Sequence, residues 1–384
     1  MSGNEPVLIL VGQTPPPYNG QTVMIEVLRA GLEGRYPMES VRMSYSASID
    51  AVGKLRFSKF LKLVSLICAT RKALKKHPGS ILYYPPASPN LIPIVRDILY
   101  LPCVRYLAKK TVYHFHAYGI AEFLENRPLL SKLAKLSYGK ADLAVVPTAS
   151  CRKDPDFLRS KRIETVPYGR DIPASDLRPS TFDLRPPPSA LRILFVGIHT
   201  EGKGFFDLIE TARELKERGV PFHIRCAGMW AQEEERMKAE ELMILYGVSD
   251  CITLLGNCVG DVLWREYANA DVLFFPTKYV LETQGMVVVE AMAFGLPVVS
   301  SNWRGPKDVV IDGRTGILCE SGSVAAYADA LAELQRDSGK RIAMGLAGRK
   351  RYEECYTEEL YIQRWMNLLE EIERAEPLIN TNLR

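Results

Sequence analysis

Two glutamates in the C-terminal half have a spacing suited to binding an anion or hydroxyl groups. Glu282 and Glu290 lie eight residues apart, with Gly285 between them. From Gly285 onward the pattern predicts a helix, whose first N–H groups can donate hydrogen bonds to such a ligand. Either glutamate alone is most simply a solvated surface charge. The loop, the glycine, the helix and the second glutamate together favour a binding site.

A glycine-rich loop with one lysine has the features of a phosphate site. It runs from Gly197 to Gly204, between a predicted strand and a predicted helix, and contains Lys203. N–H groups at a helix N-terminus bind phosphate, and the lysine adds positive charge. The first seven residues fit the P-loop spacing GxxxxGK, but the eighth is Gly204, which lacks the hydroxyl that holds magnesium. A plain turn with a solvated lysine is the alternative.

Two histidines mark the end of another predicted strand. Alternation along TVYHFH (111–116) places His114 and His116 on one face. Ligands of open α/β sheets bind beyond such strand ends. The alternative is that these histidines are hydrogen-bonded structural residues. No third ligand accompanies them, so no metal site is predicted.

Basic charge is concentrated in the N-terminal half. Residues 1–170 hold 25 Lys and Arg against 12 Asp and Glu, a net charge of +13, whereas residues 171–384 have a net charge of −9. Segment 54–76 has eight basic and no acidic residues, with apolar residues at helical spacing. Such a helix is typical of a membrane-surface segment, although an ordinary helix packed on a core has the same pattern. No recognised DNA or RNA motif accompanies the charge, so no nucleic-acid partner is expected.

These segments lie on a repeated strand–loop–helix pattern. Short apolar runs predict strands at 7–12, 80–84, 111–116, 143–147, 191–197, 222–228, 251–256, 271–276 and 297–301, with helices between them. This alternation predicts an α/β protein with parallel sheets covered by helices on both faces. Residues 171–190 contain five prolines and no periodic pattern, which predicts a linker between two domains.

The composition is that of a globular cytoplasmic protein. The chain has 384 residues, of which 47% are hydrophobic and 24% charged, which excludes a disordered or collagen-like protein. The N-terminus does not have the pattern of a secretory signal, and no apolar run is long enough to span a membrane. Eight scattered cysteines, none in a CxxC pair, predict reduced thiols.

The C-terminal half resembles the retaining glycosyltransferases of family four, which have the GT-B fold. The family's glutamate–seven residues–glutamate motif, followed by Ala-Met-Ala-x-Gly-x-Pro-Val, matches Glu282 to Glu290 and 291–298. Its strand, glycine, loop and Lys-Gly match Gly197 and Lys203. Other motifs of the family match this chain less closely, at Gly305, 308–310, 312–316, 167–171, the loop from Gly12 to Gly20, and 114–119. The resemblance covers nearly the whole chain and is strongest over 191–320.

The resemblance implies two Rossmann-like domains with a cleft between them and a C-terminal helix that crosses back. Residues 1–170 would form the acceptor-binding domain and 191–355 the nucleotide-sugar-binding domain, with 171–190 as linker. Residues 356–384 would form the crossing helix and tail.

The resemblance also implies roles for particular residues. Lys203 would bind the donor diphosphate, Glu290 the nucleotide ribose, and Glu282 the donor sugar. The other donor contacts would come from Gly12, Asn19, Gly20, Gly197, Thr283, Gln284, Gly285 and Met286. His116 would lie near the reacting sugar, so that His116, Glu282 and Lys203 form the catalytic set. No metal or cofactor is implied, since fixed cations and dipoles can stabilise charge on the leaving diphosphate.

The sequence departs from the family at one important position. The family has arginine directly after the strand glycine, where this chain has Ile198. Lys278, Arg304 or His199 could replace the missing charge, and we favour Lys278 because it precedes Glu282 in the same loop. Its replacement by alanine is then expected to reduce turnover much as Lys203→Ala does. The family's double glycine near residue 20 is Asn19-Gly20 here.

The sequence therefore predicts a retaining, metal-independent glycosyltransferase that uses a nucleotide-diphosphate sugar. The acceptor would be anionic or membrane-anchored, such as a polyprenyl-diphosphate saccharide or a lipopolysaccharide core. The setting would be surface polysaccharide assembly, in the cytoplasm or on the cytoplasmic face of the membrane. A nucleotide-sugar epimerase and a non-catalytic GT-B scaffold are the alternatives. Formation of an epimerised donor in the absence of acceptor would favour the epimerase. Failure to bind any nucleotide would favour the scaffold.

Overall fold

The chain divides into two units that are built alike. The structure, a computed structural model, describes residues 6–16, 19–43, 57–174 and 190–374, with side chains from residue 60 in the third range. Residues 1–170 and 358–384 form the first unit, and residues 171–357 form the second. Most of the linker predicted at 171–190, and the start of segment 54–76, lie outside the described residues.

The described part of the first unit is built on a parallel sheet of six strands. The strands are β1 (Leu8–Gly12), β2 (Met38–Arg42), β3 (Ile81–Tyr84), β4 (Lys110–His114), β5 (Leu143–Val146) and β6 (Ile163–Thr165). Their order is β2-β1-β3-β4-β5-β6. Four of the six strands, β1, β3, β4 and β5, are buried along their whole length, as expected for a sheet covered on both faces.

Helices cover this sheet, and the last of them comes from the far end of the chain. They are α1 (Gly20–Leu32), α2 (Phe57–Lys76), α3 (Leu91–Val104), α4 (Ile120–Glu125), α5 (Pro128–Tyr138) and α6 (Lys153–Phe157). After the helices of the second unit, α14 (Glu358–Arg374) returns to the first unit and packs against α1. This confirms the predicted return of the C-terminal helix. Among the described residues, no helix is both long and apolar enough to cross a bilayer.

The second unit has its own six-stranded parallel sheet in the described residues. Its strands are β7 (Leu191–Val196), β8 (Phe222–Ala227), β9 (Ile252–Gly256), β10 (Val272–Phe275), β11 (Val298–Ser301) and β12 (Gly316–Cys319). Its helices are α7 (Phe205–Glu217), α8 (Glu233–Leu245), α9 (Asp261–Asn269), α10 (Met286–Ala293), α11 (Arg304–Val309), α12 (Val324–Arg336) and α13 (Ser338–Cys355).

Strand order locates the place in each sheet where a ligand can enter. The second sheet has the order β12-β11-β10-β7-β8-β9, so the chain winds away in both directions from the boundary between β7 and β10. In the first sheet the same reversal falls between β1 and β3. In open α/β sheets, ligands bind in the crevice beyond the carboxyl ends of the strands at such a reversal.

The predicted strands all exist, and three further strands lie outside the predicted apolar runs. These are β2, β6 and β12, each at the edge of its sheet. The strands β2 (MESVR) and β6 (IET) are partly exposed and carry polar residues, so they lack the apolar signal, whereas β12 (GILC) is apolar. The strand predicted at 111–116 ends at His114, which leaves His116 in the loop that follows.

Candidate functional site

Three loops meet at the carboxyl ends of β7, β10 and β11. The backbone N–H of Lys278, after β10, donates to the carbonyl of Gly202, after β7, at 2.9 Å. The indole N–H of Trp303, after β11, donates to the carbonyl of Tyr279 at 3.1 Å. These bonds hold the loop from Gly197 to Gly204 beside the loop that leads to Gly285.

Glycines allow these loops to approach one another closely. Gly204 has a φ of +78°, and a Cβ there would lie 2.0 Å from the carbonyl oxygen of Pro276. A Cβ on Gly305 would lie 2.0 Å from the carbonyl oxygen of Thr283. A serine or threonine at position 204 would therefore collide with the β10 loop, which explains the missing P-loop hydroxyl.

Lys203 and Glu282 form an ion pair within this cluster of loops. The ammonium of Lys203 lies 2.6 Å from Oε2 of Glu282, and both side chains are mostly buried. The same ammonium lies 4.5 Å from the centre of the Tyr279 ring. The alternative of a freely solvated lysine is therefore wrong. A cation held above a ring and beside one carboxylate is placed to meet an anion that enters the loops.

Glu290 lies on α10 and faces the protein interior. Only 7% of its surface is exposed, and the hydroxyl of Tyr267, on α9, donates to its Oε2 at 2.7 Å. Glu290 is thus not the solvated charge that a lone surface glutamate would be. Gly285, with a φ of +75°, starts the helix. Thr283 and Gln284 are buried just before it, and Met286 opens the helix half-buried.

Lys278 faces different carboxylates from those that hold Lys203. Its ammonium lies 3.3 Å from Asp207 and 3.9 Å from Glu201. Ile198, at the position where the family has arginine, is 47% exposed. The loops therefore carry two lysines, each beside an acidic group, and one exposed apolar side chain between the strand end and Lys203.

His116 belongs to an aromatic cluster in the first unit. Its Nδ1 lies 2.8 Å from the hydroxyl of Tyr168, and its ring lies 3.9 Å from the ring of His114. Burial lowers the pKa of His116 to about 3. The imidazole is therefore neutral near neutral pH and can donate or accept a hydrogen bond without carrying charge.

The neighbouring His114 is held from two sides. Its Nδ1 lies 2.8 Å from the hydroxyl of Tyr83, and its ring packs 4.9 Å from the ring of Trp365, on α14. Burial holds the pKa of His114 well below its usual value, and His116 lowers it further. The structure thus brings the two histidines together, with a helix from the far end of the chain among their neighbours.

The loop between Gly12 and Gly20 starts at the reversal point of the first sheet. Asn19 caps α1: its Oδ1 accepts from the N–H of Thr22 at 3.0 Å, and its own N–H donates to the Thr22 hydroxyl at 3.1 Å. A Cβ on Gly12 would lie 2.9 Å from Ile25, so a larger residue would push on α1. Residues 17 and 18 lie outside the described residues.

Sequence reasoning did not select several residues that position the candidate groups. They are Tyr83, Tyr168, Asp207, Tyr267 and Tyr279. Only Tyr168 lies within a matched motif, at 167–171. Among the described residues, no group of three or more His, Cys, Asp or Glu is arranged to hold a metal ion.

Comparisons with known proteins show what the second unit is similar to. The family model described as "Glycosyl transferases group 1" matches residues 180–351. A D-inositol 3-phosphate glycosyltransferase of Corynebacterium urealyticum is 36% identical over 162 residues, 41% of this chain and 38% of that protein. The capsular polysaccharide biosynthesis glycosyltransferase CapM of Staphylococcus aureus is 27% identical over 190 residues, 50% of this chain and 46% of that protein. The chain thus spans less than half the length of these curated relatives.

A solved structure matches over both units. HepE from Anabaena, in complex with UDP and glucose, has a TM-score of 0.67 and 15% identity. The match covers 95% of this chain and 99% of that one, and it shows a shared GT-B fold. The chain therefore has the GT-B fold, and its residues 180–351, which carry the loops, the ion pair and the buried glutamate, match the family model of the glycosyl transferases group 1.

Proposed function

We propose that this chain is a retaining glycosyltransferase that moves a sugar from a nucleotide-diphosphate sugar to an anionic or membrane-associated acceptor. The observation that carries the proposal is the Lys203–Glu282 pair, 2.6 Å apart, in loops whose next helix holds the buried Glu290. One cation, one helix start and two carboxylates match the parts of such a donor: a diphosphate and the hydroxyls of two sugars.

Lys203 and the start of α10 would stabilise the leaving group. Cleavage of the sugar–diphosphate bond places negative charge on the diphosphate, and a fixed cation lowers the energy of that charge. Glu282 would then accept hydrogen bonds from the donor sugar, and Glu290 from the ribose. Lys278 would be the second cation, exchanging Asp207 for a phosphate oxygen. No metal is needed in this scheme.

His116 would lie beside the reacting sugar, as the family resemblance implies. With its pKa lowered to about 3, it would act as a neutral hydrogen-bonding group. It would therefore not supply a proton to the leaving group. The proposal that the anomeric configuration of the sugar is retained also rests on the resemblance, since the donor site alone does not select a stereochemical outcome.

The names of the relatives support an anionic or surface-polysaccharide acceptor. One is a D-inositol 3-phosphate glycosyltransferase, and one is a capsular polysaccharide biosynthesis glycosyltransferase. The positive charge of residues 1–170 would attract a phosphate-bearing acceptor. We therefore propose glycolipid or surface polysaccharide assembly at the cytoplasmic face of the membrane.

A thermal-shift titration tests the donor site directly. The full chain is melted with uridine, guanosine and adenosine diphosphates and with their sugar derivatives, as wild type and as Lys203→Ala and Glu290→Ala. Lys216→Ala is the matched control, because Lys216 forms an exposed pair with Asp250 in the same unit. A selective rise in Tm that is lost in both site variants and kept in the control supports the proposal. No shift with any nucleotide would favour the non-catalytic scaffold.

Slow donor hydrolysis in the absence of acceptor separates the remaining alternatives. The released sugar is followed by NMR, with and without a chelator. If the enzyme is a retaining transferase, the first sugar released has the same anomeric configuration as in the donor. If it needs no metal, the chelator does not change the rate. A nucleotide sugar recovered with an inverted hydroxyl would instead identify an epimerase.

A further inference from the structure

Two histidines and two tyrosines of the first unit are linked by a series of polar contacts. Nδ1 of His114 lies 2.8 Å from the hydroxyl of Tyr83, and that hydroxyl lies 3.5 Å from Nε2 of His116. On the other side of the ring, Nδ1 of His116 lies 2.8 Å from the hydroxyl of Tyr168. The series ends at the backbone, because the Tyr168 hydroxyl also lies 3.3 Å from the carbonyl oxygen of Phe115. We call these five residues the histidine–tyrosine network.

The carbonyl at the end of this network sets the direction of its hydrogen bonds. A carbonyl oxygen can only accept a hydrogen bond, whereas a tyrosine hydroxyl has a single proton to donate. When Tyr168 donates that proton to Phe115, its oxygen can meet His116 only as an acceptor. The proton of that contact then belongs to the imidazole, so His116 carries its proton on Nδ1 and a lone pair on Nε2.

The rest of the network follows from this assignment. Nε2 of His116 can then only accept, so the Tyr83 hydroxyl donates to it and accepts from the Nδ1–H of His114. In this direction every N–H and O–H group of these four side chains has an acceptor. The atom left over is Nε2 of His114, which has no hydrogen-bond partner among the described residues and which here is a lone pair.

The opposite direction leaves more groups unpaired. Tyr168 would donate to His116, and the carbonyl of Phe115 would lose its hydrogen bond from that hydroxyl. At the other end His114, which is fully buried, would carry its proton on Nε2, where the described part of the chain offers no acceptor. Because buried polar groups without a partner are costly, the first direction is the more stable one.

His116 combines a fixed ring with one nitrogen that a ligand can reach. The ring of Tyr168 lies nearly parallel to the imidazole, with 5.6 Å between centres and 8° between planes, so it restricts the orientation of the imidazole. His116 is nonetheless only half-buried. Its Nε2 lies at the longest distance of the network, 3.5 Å from Tyr83, so a hydroxyl of a ligand can donate to this lone pair from closer range.

We propose that Tyr168 is a positioning residue that holds His116 in its Nδ1–H form, so that Nε2 accepts a hydrogen bond from a hydroxyl of the bound sugar. An imidazole with its proton on Nε2 would instead select a group that accepts, such as a carboxylate of the sugar. The position of the proton follows from the network alone. The contact with a sugar hydroxyl rests on the proposed function, which supplies the sugar.

Nitrogen NMR of the full chain, labelled with 15N-histidine, tests the position of the proton. The chain has five histidines, and His116→Gln identifies the resonances of His116. In wild type, Nδ1 should resonate as a protonated nitrogen and Nε2 as an unprotonated one. Tyr168→Phe keeps the stacked ring and removes the hydroxyl, so Nδ1 should move toward the unprotonated range.

Tyr100→Phe is the matched control. It removes another buried hydroxyl of the first unit, which lies 2.7 Å from the hydroxyl of Thr70 and is outside the histidine–tyrosine network. Both nitrogen resonances of His116 should stay at their wild-type positions in this variant. A general loosening of the first unit would affect both variants, whereas loss of the positioning contact affects Tyr168→Phe alone.

The same resonances test the contact with a sugar. The ligand is the nucleotide sugar that raises Tm most in the thermal-shift titration. Its addition should shift Nε2 of His116, because a hydrogen bond reaches the lone pair, and should leave Nδ1 protonated. The nucleoside diphosphate of the same base, which lacks the sugar, should leave Nε2 unchanged.

Three results would overturn the proposal. The first is a wild-type His116 that carries its proton on Nε2, and the second is a Tyr168→Phe variant in which Nδ1 remains as protonated as in wild type. The third is an Nε2 resonance that does not move when a nucleotide sugar binds, or that moves equally with the diphosphate alone. If no nucleotide sugar raises Tm, the proposed function fails, whereas the measurement without ligand still decides the role of Tyr168.

Discussion

The two units share one architecture and differ in what lies at the ends of their strands. In the second unit, the loops after β7 and β10 carry ionic groups, with Lys203 on Glu282 and Lys278 on Asp207. In the first unit, the end of β4 carries two histidines enclosed by tyrosines and Trp365. The fold therefore determines where a ligand can enter, while the side chains determine whether the site stabilises charge or packs neutral rings.

Burial explains why His114 and His116 in the first unit stay neutral. Desolvation penalises the charged imidazolium and is the main reason why the pKa of both His114 and His116 is lowered. In the second unit, Lys203 and Lys278 instead each face a carboxylate. The following predictions test this contrast, from the largest expected effect to the smallest.

Trp365→Ala should be the most damaging change to the aromatic cluster. Trp365 is fully buried and packs against Tyr83 and His114, so its loss leaves a large cavity. We expect the free energy of unfolding to fall by about 4 kcal/mol, measured by chemical denaturation. Trp365→Phe should lose much less. A loss below ~1 kcal/mol for the alanine variant would show that α14 does not anchor the first unit.

Lys203→Ala should nearly abolish turnover while the chain stays folded. Removal of one group that stabilises charge in a transition state costs about 100- to 1,000-fold in kcat. The assay follows nucleotide release from the donor that the thermal-shift screen selects. Lys132→Ala, in the first unit, is the control and should keep wild-type donor hydrolysis. Equal activity of Lys203→Ala and wild type would contradict the ionic role of the second unit.

His199 should make the stability of the chain sensitive to acid. It is buried against Phe205 and Trp230, and burial lowers its pKa to about 4 from a usual value of 6.5. Between these values the unfolded chain binds the proton and the folded chain does not, so stability falls as the pH falls through this window. His199 alone should lower the free energy of unfolding by about 2 kcal/mol between pH 7 and pH 5.

Replacing the imidazole of His199 by a ring that does not titrate isolates its contribution to the pH dependence of stability. His199→Phe should lose about 2 kcal/mol less stability between pH 7 and pH 5 than wild type does, as measured by denaturation at each pH, while the contribution of His114 and His116 remains. Phe205→Leu perturbs the same aromatic contacts without removing a titrating group and should retain the pH dependence of wild type. If His199→Phe loses as much stability as wild type over this range, His199 is not the group responsible.

Lys278→Ala should have the smallest effect on catalysis. Its ammonium already faces Asp207 and Glu201, so it must leave these carboxylates to meet a phosphate. The sequence alone predicts a loss as large as that of Lys203→Ala, but these contacts reduce the expected loss of kcat to about tenfold, because the carboxylates partly neutralise the charge of Lys278. If Lys278→Ala turns over substrate as fast as wild type, Lys278 does not replace the missing arginine. A loss as large as that of Lys203→Ala would make the two lysines equal partners.

Much of the fold could be predicted because its central strands are short, uniformly apolar runs. VLILVG (7–12) and DVLFFP (271–276) are examples, since buried parallel strands need no polar face. The edge strands β2 and β6 could not be found this way, because solvent on one side removes the need for apolar residues. The apolar strand β12 (GILC, 316–319) was missed without such a reason. The GT-B topology came from motif resemblance rather than from periodicity.

The candidate site was predictable only in part. The Gly197–Gly204 loop and the Glu282–Glu290 segment carry local signals, because a tight turn needs glycine and a helix start has its own pattern. Nothing local indicated that Tyr267 would bind Glu290, or that Tyr168 would bind His116. Tyrosine is common in protein cores, so a tyrosine in the sequence does not by itself indicate a residue that positions a catalytic group.

By itself, the sequence determined the alternation of strands and helices, the loops with ligand-binding potential and the separation of charge between the halves, because these follow from residue order and type. The tertiary structure alone decided which groups meet. Lys203 and Glu282 are 79 residues apart in the chain, and their 2.6 Å contact exists because β7 and β10 are adjacent strands. The contacts of α3 with α2 and with α5 likewise join helices that are separate in the chain. Such contacts depend on the packing of elements distant in the chain, which no local pattern records.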